Sequence, residues 1–243
     1  MIRGLYSAAS AMLATARAQE VITNNIANVN TPGFKRNIPV YQSFSNIMQR
    51  EIDRNTGQSR LQETSIDLAQ GEFTFTNNIF DFALEGEGFF VLSTPQGIAY
   101  TRNGSFSLDK ENRLVTSENF VLMGERGPLI IPVKEIAELR FNQNGEVQIG
   151  EKVLDQIRID ILPDVSFLRK IGKNTFQLFQ EVQTTRATAV RIKQKYLETS
   201  NVDIISEMIN LIDNLRVYEA SQKMIQLQDN TLDKLCNEVG MIR

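Results

Sequence analysis

The sequence predicts an α+β protein in which long N- and C-terminal amphipathic helices pair as a coiled-coil-like stem and an all-β module is inserted between them. Three observations carry this. Apolar residues recur at helical spacing near both ends of the chain. From about Phe73 that spacing gives way to short β-branched or aromatic runs separated by turn dipeptides. And 243 residues, 42% hydrophobic and 23% charged, suffice to bury a core.

The first helix is expected from Ile2 to about Val29, where Leu5, Ala9, Met12, Ala16, Ile22, Ile26 and Val29 keep to one face. At 1.5 Å per residue it is about 40 Å long, so its narrow stripe calls for a second long helix as cover. It closes on Asn24, Asn25, Asn28 and Asn30, then on Thr31-Pro32-Gly33-Phe34, where proline presets the turn and glycine accepts positive φ. Residues 1–36 thus form the N-terminal helix and turn of the stem. Residues 37–72 are a connecting segment, of which 53–65 are polar and without period.

Residues 73–185 make the β-rich module. Phe89–Leu92, Ile98–Arg102 and Ser105–Leu108 read as successive hairpins joined by Pro95-Gln96-Gly97 and Asn103-Gly104. Further strands are expected from Leu114–Thr116 through Thr175–Gln180, with a turn at Asn142–Gly145 and a hairpin tip at Asp109–Arg113. Residues 186–243 return the chain to the stem. Their helix carries Ile204, Met208, Leu211, Leu215, Tyr218, Ile225 and Leu232 at three-four spacing, with Ser200 or Asn201 as its N-cap and Asp203 completing a capping box.

Composition excludes several functions. The chain has no histidine, so triads and His-based zinc sites are ruled out, and its single cysteine, Cys236, has no partner for a disulfide or a thiolate metal site. No cofactor is expected. A net charge of −3 without a basic stripe speaks against nucleic acid. Residues 4–16 are rich in Ala and Ser, and their helical spacing runs past any cleavage point, so no cleaved signal peptide is expected. No run approaches the roughly 20 apolar residues of a membrane span.

Glu85-Gly86-Glu87-Gly88, with Asp81 nearby, is the densest acidic cluster, and paired carboxylates serve glycoside hydrolysis. A secreted carbohydrate-active enzyme using Glu85 or Glu87 is therefore one competing class. The simpler account is a glycine-shaped turn with solvated acids. Arg186, Arg191, Lys193 and Lys195, with Glu181 and Glu198 nearby, read as a solvated face. A cytoplasmic coiled-coil adaptor is the other competing class.

Three stretches carry a resemblance. GLYSAASAM with NNIANVNTPGFKR (to Arg36), then GEGFFVL, AYTRNGSFSLD and RLVT (Gly86 to Thr116), then ETSNVDIISEMINLI with RVYEASQKMIQLQDNTLDKL (Glu198 to Leu235) resemble the flagellar basal-body rod proteins of bacteria, relatives of the hook protein. Asn30, Thr31, Pro32, Gly33 and Phe34 match that family's turn motif. The chain departs from it at Asn112 and Asn119, where glycine is common; asparagine is the next most tolerant of positive φ.

The resemblance implies a non-enzymatic building block, exported through the flagellar type III apparatus without cleavage and assembled into the axial drive shaft linking motor to hook. Its partners would be copies of itself and homologous rod and hook proteins. Gly127-Pro-Leu-Ile-Ile-Pro132 and the modest length look more like the proximal-rod member, with the distal-rod member as the alternative. The expected assembly interface comprises Leu5, Met12, Ile22, Asn25, Ile26, Asn28, Ile204, Met208, Leu211, Leu215, Tyr218, Ile225 and Leu232.

Overall fold

α1 spans Ile2–Ala27 and α2 spans Ile204–Gly240, and strands fill the chain between them. The computed structural model describes residues 2–40, 64–132, 139–150, 152–162, 168–172, 174–178, 185–186 and 190–240. The polar stretch 53–65 (up to residue 63), Glu181, and the side chains of Leu5 and Cys236 lie outside the described residues. The chain divides into two units: residues 1–27, 37–66 and 203–243 form one, residues 28–36 and 67–202 the other. In this division the turn motif and the return segment up to residue 202 group with the β-rich unit.

In the helical unit, α1 stops two residues short of Val29. There Thr31 turns back onto Asn28, its N–H donating to the Asn28 carbonyl at 3.1 Å and its hydroxyl to Asn28 Oδ1 at 3.2 Å. The start of α2 also differs from expectation: its cap is Asp203. Asp203 Oδ1 accepts the Ile205 N–H at 3.1 Å and Oδ2 accepts the Ser206 hydroxyl at 2.5 Å, which satisfies free donors at the positive end of the helix. Ser200 instead closes a local turn on Val202, and Asn201 braces backbone groups of Arg36, Asp67 and Ala69 within the β-rich unit. A short antiparallel pair, Asn37–Pro39 with Thr64–Ile66, belongs to the helical unit.

The β-rich unit is built on one large antiparallel sheet. Its strands run in the order Leu168–Lys170, Thr175–Leu178, Gly97–Thr101, Phe89–Thr94, Val121–Leu122, Leu114–Val115 and Ser107–Leu108, and Ile159–Ile161 also pairs with Phe89–Thr94. Phe89 to Leu92 are all buried, as a central strand covered on both faces requires. Phe82, Phe90, Phe106, Leu122, Ile131 and Ile192 are among the core residues. The Asp109–Arg113 and Asn142–Gly145 turns lie where expected, and Asn112 and Asn119 do take positive φ, 62° each.

One expected hairpin is absent. Gly97–Thr101 and Ser107–Leu108 lie far apart in the sheet order, so Asn103-Gly104 does not join paired neighbours. The chain instead runs against Phe82: the Phe82 N–H donates to the Gly104 carbonyl at 2.9 Å, and Ser105 bridges Asp81. The approach is possible only without a side chain, since a Cβ on Gly104 would lie 1.7 Å from the Phe82 carbonyl oxygen. Gly104→Ala is therefore expected to destabilise the β-rich unit by about 3 kcal/mol, read as a lowered urea midpoint. A loss below about 0.5 kcal/mol, the range of ordinary surface changes, would contradict this packing.

Candidate functional site

Within the helical unit α1 and α2 pack antiparallel. Asn214 Nδ2 donates to the Thr15 carbonyl at 2.7 Å, and Gln228 lies against Gly4 so closely that a Cβ there would meet its amide. The face of α2 turned inward is Glu207, Leu211, Asn214, Tyr218, Ser221, Ile225 and Gln228, spaced alternately by four and three residues. Every other residue from Ile204 to Thr231 is exposed. Every second position of this seam is polar, and the facing residues of α1 are small or polar: Ala8, Thr15, Ala18 and Asn25 are buried with Ile22. Small side chains permit the close approach.

Many large apolar residues of α2 nevertheless face outward. Ile205, Ile209 and Ile212 are 67%, 55% and 51% exposed, Met208 and Leu215 are exposed beside them, and Leu227 is exposed further along the helix. Contiguous exposed apolar surface of this kind is characteristic of contact surfaces. Of the residues expected at the assembly interface, Leu211, Tyr218 and Ile225 lie on the intrachain seam, half buried. Ile204, Met208, Leu215 and Leu232 are exposed. On α1 Ile22 is buried while Met12 and Ile26 are half buried, because the packed face lies one residue off the apolar stripe read from the sequence. Asn25 is fully buried, exchanging two hydrogen bonds of 2.9 Å with the backbone of Asn37. Half-buried Asn28 serves the turn described above, and Asn30 is exposed.

The turn motif is used in the β-rich unit. Gly33 has φ 67°, and a Cβ on it would lie 2.4 Å from the Asn103 nitrogen, so only glycine fits. Its N–H donates to the Glu198 carbonyl at 2.7 Å, and Asn174 donates to the Pro32 carbonyl at 2.7 Å. Phe34 is buried.

Glu198, expected beside a solvated basic face, is instead the centre of a buried ion knot. The Glu198 side chain is 0% exposed. Oε1 accepts Lys35 Nζ at 2.7 Å and the Gly71 N–H at 3.0 Å, while Oε2 accepts Arg102 Nε at 2.6 Å. Arg102 also donates to the carbonyls of Leu84 at 3.1 Å, Gly86 at 2.6 Å and Gly88, and Lys35 to that of Ala69 at 2.7 Å. Burial holds the Lys35 ammonium below its usual 10.5, with Glu198 opposing that shift. The knot ties together one residue from each of the three stretches that carried the family resemblance.

Lys170 lies over the Phe34 ring, 4.2 Å from its centroid, and donates to the Lys35 carbonyl at 3.2 Å. Burial lowers its pKa from 10.5 to about 8. A folded-state pKa below the unfolded one means the unfolded chain binds more protons between pH 8 and 10.5. Stability of the β-rich unit is therefore expected to rise with pH across that window. Lys170→Met keeps the stem on Phe34 and removes the titrating group, so denaturant midpoints should show a weaker rise in the variant; an identical rise would contradict the assignment.

The acidic cluster does not converge on a reaction centre. Glu85 is engaged by Lys193 Nζ at 2.9 Å, and Asp81 accepts Asn78 Nδ2 at 2.9 Å. Glu87 lines an open cavity of about 500 Å³ whose two cations, Lys35 and Arg102, are turned onto Glu198 and backbone carbonyls. Of the basic cluster, exposed Arg186 pairs with Glu125, Arg191 is exposed and Lys193 lies 4.5 Å from the Phe73 ring centroid.

In chain order the described residues thus run from a long helix through a β-rich stretch to a second long helix whose outer face is apolar. Comparison with known proteins agrees. Residues 5–35 match the model of the flagella basal body rod protein, 83–149 that of the flagellar hook protein FlgE/F/G D1 domain, and 193–238 that of the flagellar basal body rod FlgEFG protein C-terminal. The flagellar basal-body rod protein FlgG of Borreliella burgdorferi is 32% identical, with 96% of this chain and 97% of the relative covered. FlgG of Buchnera aphidicola is 31% identical over 97% of this chain and 99% of the relative, and FlgF of Caulobacter vibrioides 28% over 96% and 95%. The chain belongs to the flagellar basal-body rod protein family.

Proposed function

We propose that this chain is a structural subunit of the flagellar basal-body rod, not an enzyme, and that it assembles through its terminal helices. The observation that carries the reading is the outer face of α2: the intrachain seam alternates polar residues with Leu211, Tyr218 and Ile225, while Ile205, Ile209 and Ile212 are left facing outward. The helix pair acts as a coiled-coil-like stem whose outer face is covered by stems of neighbouring subunits, copies of itself and homologous axial proteins. Contacts of this head-to-tail kind that do not close on themselves extend into a helical rod. Passage to the basal body by the flagellar type III apparatus without a cleaved signal is part of this proposal; no described helix is long and apolar enough to cross a membrane.

Position in the proximal rod is supported by the Gly127–Pro132 segment and the modest length. The test is to isolate basal bodies from cells making the tagged chain. The subunit should be present in the rod fraction, and cells lacking it should be non-motile. A chain found only in the cytoplasm would overturn the reading in favour of an adaptor. Immunogold label at the motor end of the rod is the expected position, and label at the hook end assigns the distal rod.

A further inference from the structure

The ion knot has a directional consequence for how the β-rich unit forms. Lys35 and Arg102, whose side chains are 2% and 5% exposed, both pair with the single carboxylate of Glu198, which follows them by 163 and 96 residues. Among the described residues no other carboxylate lies within ion-pair distance of either cation. Asp67 contributes only a weaker electrostatic attraction to Lys35, and its Oδ1 accepts the Ala69 N–H. Burying either cation before Glu198 arrives leaves a charge out of water without a counter-ion, among the costliest states a core can adopt.

The same late segment completes the backbone pairing. Arg191–Gln194 supplies the partner of Phe82–Glu85, and Tyr196–Glu198 the partner of Phe73–Phe75. Ile192 enters the core, with its N–H on the Gln143 carbonyl at 2.8 Å, and the Glu198 carbonyl receives the Gly33 N–H. Until these residues dock, two earlier strands lack partners and two cations lack their anion.

We propose that docking of Glu198 is the step that closes the β-rich unit, so that a chain emerging N-terminus first, from the ribosome or from a channel, keeps this unit open until residue 198 has emerged. The device withholds a bulky folded unit from a chain still in transit. Closing so long a loop adds only a logarithmic entropy cost, but it places a non-local contact in the rate-limiting step. The inference does not rest on the rod assignment.

Refolding and unfolding kinetics of the full chain test it. A contact formed in the transition state moves the folding rate, and one formed afterwards moves the unfolding rate. Glu198→Gln is expected to slow folding by about tenfold or more while changing unfolding by less than about threefold. Unchanged folding with accelerated unfolding would overturn the proposal. Pulsed hydrogen exchange on the refolding natural chain gives an independent reading should the variant not fold. Protection of Phe89–Thr101 and of Arg191–Glu198 is expected in one phase, and earlier protection of Phe89–Thr101 alone would overturn it.

Discussion

Glu198→Ala is expected to destabilise the β-rich unit by about 3–5 kcal/mol, a large part of the 5–15 kcal/mol that holds a typical domain folded. The size follows from what remains behind. Lys35 and Arg102 would stay buried with no carboxylate at 2.6–2.7 Å, and the Gly71 N–H would lose its acceptor. Replacing all three charges by apolar residues would not restore the unit as it does for some isolated buried pairs, because Arg102 also satisfies the carbonyls of Leu84, Gly86 and Gly88. Urea unfolding followed by circular dichroism measures the loss. A change under about 1 kcal/mol, typical of exposed ion pairs, would mean that the knot is solvated.

The second large effect concerns assembly. Ile209→Asp combined with Ile212→Asp should leave the stability of the isolated chain within about 0.5 kcal/mol, since both side chains are more than half exposed. Under the proposed assembly the same positions become buried. Each isoleucine there contributes about 1.5–3 kcal/mol, and an unpaired aspartate in its place adds a desolvation cost. Incorporation into basal bodies, and with it motility, should be lost. Leu211→Asp is a less discriminating change, because Leu211 is half buried on the intrachain seam and its replacement also weakens the helix pair. Full motility of the double variant would remove the outer face of α2 from the assembly contacts.

Much of the fold is legible in the sequence because it rests on local rules. The 3.6-residue period locates both helices, the turn tetrapeptide Thr31–Phe34 locates the end of α1, and asparagine's tolerance of positive φ accounts for Asn112 and Asn119. Misreadings occur where a distant segment decides. Asn103-Gly104 carries the composition of a tight hairpin, yet its glycine is required by the backbone of Phe82. Asp203 rather than Ser200 or Asn201 caps α2, because the side chain of Asn201 is spent on Arg36, Asp67 and Ala69.

The site divides in the same way. The apolar residues of α2 are visible in the sequence, but which of them face α1 depends on the small residues of the partner helix. Basic residues at close spacing before Glu198 suggest a solvated face, whereas its partners lie 163 and 96 residues away. One signal is present in the sequence: each of the three stretches that resemble the same family contributes one of Lys35, Arg102 and Glu198.

Cysteine labelling tests the outward face of α2 most directly. In a chain carrying Ile212→Cys and Cys236→Ser, the new thiol should react readily with a maleimide in the dilute monomer, where Ile212 is 51% exposed. In purified basal bodies it should be protected by at least about tenfold, as for a residue moved into a packed interface. Equal reactivity in monomer and rod would contradict assembly through this face.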